Sequence, residues 1–465
     1  MSASPRCRAA RGFGGRAAQA GQDAGQGKSA RAGTRPRGTK IFMTQQYGGA
    51  GPYPIRPITE DEFDRFHAVD EHAFHGSPPS EGDRRQLLDR FEFDRSLAAF
   101  DGGAPVGITS VFSFRLSVPG PDALPAAGVT FVAVLPTYRR RGVLRSLMRR
   151  QLADVRERGE PLAVLWASES VIYGRYGYGR ASWYLSFSLR RGEGTLARNA
   201  PADPGLRLRL ADPAAGLPEL AKVYDAVLPS RPGFFARNDA WWRRVIYDPK
   251  EEREGASPLR CVLAEDDGGP RGYALYSGVD TWQEFLPENV LTVRELMAAD
   301  PAASAALWAD LLSRDLTSEF RLQRRPVDDP LLHLLADPRR ARPALVDGLW
   351  ARIVDVPGAL AGRRYSCPVD VVIEVRDELV PSNAGRWRLT TAGPAADGLA
   401  ASCEPATSAA DVALDVAELG AAYLGGTKLA ALAEAGLVTE RRPGAVRQLS
   451  AAMSWDPAPW CPLVF

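Results

Sequence analysis

Apolar residues recur at helical spacing in some segments and run unbroken in others. The alternation between the two sets the expected order of elements. A short strand is expected at 53–57, after which Thr59 and Glu62 stand at capping-box spacing. Phe63, Phe66 and Val69 then mark one face of a helix. A second helix is expected over 82–93, and 97–100 with 106–116 form a hairpin about Asp101, Gly102 and Gly103. Beyond a Pro/Gly-rich excursion at 119–125, residues 128–135 are a continuous apolar run, the mark of a buried strand. A helix over 141–158 carries Val143, Leu144, Leu147, Leu152 and Val155 as its stripe; strands at 162–167 and 184–189 close the unit. Parallel strands joined by a crossover helix give a mixed α/β sheet.

Residues 192–205 read as a linker, and a similar order then begins again. Strand 206–210, helices 217–227 and 239–246, hairpin 260–265/272–276, strand 289–298 and helix 301–313 describe a second copy of the fold. From 349 onward the pattern changes: strands at 369–375, 385–390 and 412–416 are followed by short helices at 417–424, 428–435 and 444–453. The expected division is a leader at 1–50, mixed-sheet units at 51–195 and 203–345, and an α+β unit at 346–465.

Charge changes the picture at one end only. Net charge is +2, but residues 1–42 hold nine basic residues and one acid, Asp23. The body is therefore mildly acidic, which gives no support for nucleic-acid binding. The Arg/Gly-rich leader has no apolar core and reads as a disordered tail or an upstream start, with Met43 as the alternative. Five scattered cysteines without a C-x-x-C pair suit a reducing cytoplasm. The four histidines are too badly placed for a metal site. No apolar run reaches the ~18 residues that span a bilayer.

The chemistry concentrates between Val132 and Arg145. A buried strand meets Pro136, then Arg139, Arg140 and Arg141, then Gly142 and a helix. The helix N-terminus offers free N–H groups and a partial positive charge of about half a unit, Gly142 permits close backbone approach, and Arg145 adds charge. Such a turn suits a pyrophosphate; it also reads as a solvated basic loop. A second cluster follows: Ser168, Glu169, Tyr173, Tyr176 and Tyr178 among glycines 174, 177 and 179. On spacing alone these tyrosines read as packing about a Gly-rich turn sooner than as catalytic groups.

The Arg139 to Leu144 segment resembles the coenzyme A signature R/Q-x-x-G-x-G/A of the GNAT acetyltransferase superfamily, with Leu144 in place of the usual small residue. The stretch from Ala167 to Gly179 resembles the Eis (enhanced intracellular survival) family of those enzymes. So does the layout of two GNAT units followed by a sterol-carrier-like domain. The resemblance spans about 50–465 and implies acetyl transfer from acetyl-coenzyme A to primary amines by direct attack, with no metal. It implies that Val132, Ala133 and Val134 pair with the pantetheine arm through their backbone. Arg140, Arg141, Gly142, Val143, Leu144 and Arg145 would hold the diphosphate, and Ser168 and Glu169 would touch the cofactor. Tyr173 is the implied general acid, and the carboxylate of the last residue, Phe465, the implied base. It further implies aminoglycosides or lysine side chains as acceptors, and homohexamers.

Both roles are physically reasonable. A tyrosine near pKa 10 stays protonated at neutral pH, and a terminal carboxylate near 3.5 rises when desolvated. The apolar tail with Pro459 and Pro462 favours burial, although a tucked-in end is its ordinary meaning. The second unit lacks both arginine run and glycine after its strand at 290–296, so only the first should bind the cofactor. Trp241 and Trp242 read as core or interface residues. Acidic residues such as Asp70, Glu71, Glu81, Asp83 and Glu169 would attract polycationic acceptors if they line the cleft. The rival functions are a coenzyme A-binding regulator without catalysis and a lipid-binding module acting through the last domain.

Overall fold

The computed structural model describes residues 53–393 and 398–465; the basic leader lies outside them. The first sheet has seven strands in the order Ile55–Pro57, Leu97–Asp101, Ala104–Ser117, Ala123–Val134, Leu162–Trp166, Leu349–Ile353 and Gly179–Arg180. Ala123–Val134 and Leu162–Trp166 run parallel, joined by the crossover helix Val143–Glu157. That helix buries Val143, Leu147, Met148, Leu152 and Val155, close to the expected stripe, while Leu144 is only half-buried. The expected excursion shrinks to a turn at 118–122, and the strand after it begins five residues earlier than expected.

One strand is not where the chain order suggests. Trp183–Arg190, expected to close the first unit, pairs instead with Thr317–Pro326 and Ala344–Asp347 in the second sheet. In return Leu349–Ile353, expected in the third unit, enters the first sheet between Leu162–Trp166 and Gly179–Arg180. The divisions expected at 195 and 346 follow the chain, whereas the two sheets exchange a strand across them. Alternation in 183–190 specifies that Leu185, Phe187 and Leu189 face a core, without specifying which core.

The third unit is a five-stranded sheet, Ala400–Pro405, Gly385–Ala392, Asp370–Arg376, Val412–Asp415 and Val438–Glu440, with helices Val416–Tyr423, Leu429–Glu434 and Ala445–Met453. It packs closely against the first. Helix Val416–Tyr423 lies so close to Gly179 that a Cβ there would stand 1.9 Å from the Ala417 carbonyl oxygen. A Cβ on Gly420 would stand 2.4 Å from that of Ala351. The exchanged strand also carries Arg352, fully buried, whose Nη2 donates to both Asp377 oxygens at 2.7 Å. Gly179→Ala is therefore expected to lower unfolding stability by about 3 kcal/mol, since backbone cannot yield as a side chain can. Gly278→Ala, whose Cβ would meet its nearest atom at 3.7 Å, serves as the control in the same denaturant titration.

Candidate active site

The site is built where two parallel strands part. Pairing between Ala123–Val134 and Leu162–Trp166 ends at Gly128 opposite Val164, so the former runs on for six residues with one backbone edge open. On its other edge, Ser110 faces Thr130 and Ile108 faces Ala133: four residues oppose three. The extra residue is absorbed at Phe131, whose φ of +50° is costly for a bulky side chain. Phe66, Phe91 and His67 pack around its ring at 6.1–6.2 Å and hold it. Val132, Ala133 and Val134, in the stretch whose edge is open, line a cavity of about 690 Å³.

At the end of that strand the chain turns through Pro136–Tyr138 and reaches Gly142, the N-cap of the crossover helix, at φ +80°. A Cβ at Gly142 would meet nothing within 4 Å, so the glycine is needed for its dihedral rather than for space. The first helical bond runs from the Ser146 N–H to the Gly142 carbonyl at 3.0 Å. The N–H groups of Val143, Leu144 and Arg145 thus have no acceptor within the helix, and all three residues line the cavity with Gly142, Arg139 and Arg140. Arg141 is turned away: its guanidinium lies 4.9 Å from the Tyr138 ring centre and donates to the Tyr53 hydroxyl at 3.3 Å. Its expected place among the diphosphate contacts is therefore not where the structure puts it.

The second unit shows the contrast. Its matching helix, Pro301–Leu312, is capped by Asp300, whose carboxylate accepts the Ala303 N–H at 3.0 Å and an Arg271 bond at 2.8 Å. The protein supplies its own anion there. In the first unit the equivalent N–H groups face the cavity.

Ser168 and Glu169 line the other wall, followed by the short helix Ser170–Tyr173. Tyr173 is 5% exposed and borders the cavity. Burial, reinforced by the Glu169 carboxylate, pushes its hydroxyl well above the ordinary tyrosine value. It holds its proton throughout the neutral range. Ala73 and Phe74, Val171 and Arg175 also line the cavity. Local spacing gives no sign of the first pair, which arrive from the end of helix Phe63–Phe74.

Phe465 lies elsewhere. Its ring meets Phe114 at 4.8 Å and Phe235 at 5.9 Å. Phe114 in turn covers Gly128, where a Cβ would come within 2.1 Å of its ring. The last residue is thus seated at the point where the strands part. It sits among the Phe112 and Phe114 side chains, whereas Tyr173 packs with Val111, Val129 and the crossover helix on the opposite face. Pairing of the two strands stops at Gly128 and Val164, between these two faces. Upstream the tail is pinned: Trp460 Nε1 donates to the Arg324 carbonyl at 2.6 Å, and the Ala458 N–H donates to Asp328 at 2.9 Å.

Residues 54–181 match the acetyltransferase (GNAT) domain family, 233–353 match a second acetyltransferase (GNAT) domain family, and 356–462 match the sterol carrier protein domain. The chain is 44% identical to an uncharacterized N-acetyltransferase of Streptomyces avermitilis, over 88% of this chain and 98% of that one. It is 35% identical to N-acetyltransferase Eis of Mycobacterium tuberculosis, over 78% of this chain and 87% of that one. The crystal structure of Eis1 from Mycobacterium abscessus shares the fold with a TM-score of 0.75 at 36% identity, covering 89% of this chain and all of that one. The chain belongs to the Eis family of GNAT N-acetyltransferases. As a GNAT acetyltransferase it uses acetyl-coenzyme A, and the open strand edge and uncommitted N–H groups fit that molecule. Among the described residues no helix is long and apolar enough to cross a membrane.

Of the five acidic residues considered for the cleft of this Eis-family chain, only Glu169 lines the cavity. Asp83 completes the capping box of the helix Glu81–Leu88, accepting the Ser80 N–H at 3.3 Å, and also accepts the Tyr247 hydroxyl at 2.8 Å. Glu81 pairs with Arg85 on the surface, and Glu71 meets His67 Nδ1 at 2.8 Å. Asp70 is buried, which, with the Glu71 charge, raises its pKa to about 7. Its folded pKa exceeds its unfolded one, so folding stability falls as pH rises between the two. Asp70→Asn is expected to raise stability at pH 8 by on the order of 3 kcal/mol relative to its effect at pH 4. Melting curves at both pH values check this.

Proposed function

We propose that this enzyme transfers the acetyl group of acetyl-coenzyme A directly to a primary amine, with Tyr173 as general acid and the Phe465 carboxylate as general base. The observation that carries the reading is a cavity with an open strand edge and an uncapped helix N-terminus at one end and a buried, protonated tyrosine at the other. Val132, Ala133 and Val134 would pair with the pantetheine arm. Val143, Leu144 and Arg145 would hold the diphosphate through their N–H groups, with Gly142, Arg139 and Arg140 around it. The bound thioester supplies the acetyl group. An attacking amine must be neutral and a departing thiolate must be protonated, so one group takes a proton while another gives one. Tyr173 keeps its proton until a thiolate forms. A carboxylate at the chain end, desolvated by Phe114 and Phe235, would take the ammonium proton from the opposite face of the sheet.

Aminoglycosides and lysine side chains remain the acceptors suggested by likeness to Eis, as does assembly into hexamers. Both are tested on an untagged chain: thiol release from acetyl-coenzyme A across a panel of amines, and mass by light scattering. Turnover with at least one primary amine is expected. Coenzyme A binding without turnover across the panel would favour a regulator.

A further inference from the structure

Tyr173 is placed by packing alone. Among the described residues its hydroxyl makes no hydrogen bond, so nothing aims it except what holds its ring. The ring stands on the turn between helix Ser170–Tyr173 and strand Gly179–Arg180. The Tyr178 N–H closes that turn by donating to the Tyr173 carbonyl at 3.3 Å, and Gly177 bends it at φ +79°. Gly177 is also a point of contact. A Cβ there would stand 2.8 Å from Arg352 Nε and 2.8 Å from Val416 Cγ1, so the Arg352 guanidinium backs the turn directly.

Arg352 is held in turn by the third unit. Beside the Nη2 fork onto Asp377, its Nη1 donates to the Ile353 carbonyl at 2.7 Å. Asp377 has further partners: it accepts the Leu379 N–H at 3.1 Å, the Val380 N–H at 3.0 Å and Asn383 Nδ2 at 3.0 Å. One buried carboxylate therefore fixes Arg352 behind the tyrosine turn and shapes the loop at 377–380. Leu379 and Val380 on that loop are buried in the same apolar cluster as Tyr173, Tyr176 and Tyr178. The guanidinium and the loop are two supports for the acid, and both depend on Asp377.

A buried ion pair of this kind need not add to stability, since desolvation offsets much of its attraction. What it supplies is direction. A catalytic group misplaced by about 1 Å can cost on the order of 10²-fold in rate. We propose, on the reading of Tyr173 as general acid, that Asp377 is a positioning residue for Tyr173, acting through Arg352 and the loop of Leu379 and Val380. The sterol carrier-like unit then aims the acid as well as carrying the chain end.

Asp377→Asn keeps the shape of the side chain and removes its charge. The expected result is a fall in kcat of roughly 10- to 100-fold, with the acetyl-coenzyme A dissociation constant, read by calorimetry, nearly unchanged. In a Tyr173→Phe background the same change is expected to cost less than about twofold, because no hydroxyl is left to aim. Should the unpaired Arg352 charge unfold Asp377→Asn, Val380→Ala removes one support with both charges intact and enters the same cycle. A readout free of turnover comes from 3-fluorotyrosine in place of Tyr173, whose fluorine resonance is expected to move in either variant. Unchanged kcat in a folded Asp377→Asn protein, or a resonance that stays in place, would overturn the proposal. Losses that multiply in full, with Tyr173→Phe itself impaired, would remove the positioning and leave the acid role standing. A resonance that moves while Tyr173→Phe keeps full kcat would count against the acid role alone.

Discussion

Extending the chain beyond Phe465 by even two residues is expected to abolish turnover while leaving the protein folded and able to bind acetyl-coenzyme A. The tail is anchored upstream, at Trp460 and Ala458, so its course does not depend on the last carboxylate. The cavity that would hold the cofactor includes neither Phe465 nor its neighbours, and cofactor affinity should be unmoved. What changes is one group, from an acid to an amide that takes no proton. Loss of a general base costs roughly 10²- to 10⁴-fold in kcat. The comparison is between a chain ending at Phe465 and one ending in an added Gly-Ser, with kcat, melting temperature and acetyl-coenzyme A affinity measured for both. Full activity in the extended protein would remove the terminal carboxylate from the mechanism. The pH profile adds a second reading. A base must be deprotonated to act, so kcat is expected to fall on the acid side as the carboxylate takes up its proton.

Tyr173→Phe is expected to lower kcat by a comparable factor with the affinity for acetyl-coenzyme A nearly unchanged. The ring remains as a wall of the cavity and keeps its edge contact with Tyr178 at 6.0 Å. Only the hydroxyl is lost. The direction of its pKa shift gives a further check. A general acid works while protonated, and burial places deprotonation of Tyr173 above the ordinary value, so kcat should show no Tyr173-dependent alkaline limb below about pH 10. Pre-steady-state mixing separates this from slow product release. Unchanged single-turnover acetylation in Tyr173→Phe would dismiss the residue as the proton donor.

The turn into the crossover helix was legible in the sequence, because it is local. Gly142, the arginines and the helix lie within a few residues, and a positive φ before a helix leaves a glycine as its trace. The bulge at Phe131 left none. A phenylalanine in a left-handed conformation is held by Phe66, Phe91 and His67 from other elements, and no rule of spacing announces it. Arg141 shows the converse: it belongs to the motif by position, yet the Tyr53 hydroxyl and Tyr138 ring draw it outward. Trp241, read as a core or interface side chain, is buried, but its neighbours, Phe112, Phe114 and Phe235, come from two units and could not be paired in advance. The strand exchange was hidden for the same reason, since alternation fixes a face and leaves the partner open.

That exchange bears on how the molecule is made. Ile353 pairs with Leu162, and Leu165 beside it with Trp350, so the catalytic sheet gains its penultimate strand only after the whole second unit has been synthesised. A nascent chain halted at the first linker would present an unfinished edge, and the sheet that carries the cavity closes only when a segment from beyond the second unit arrives.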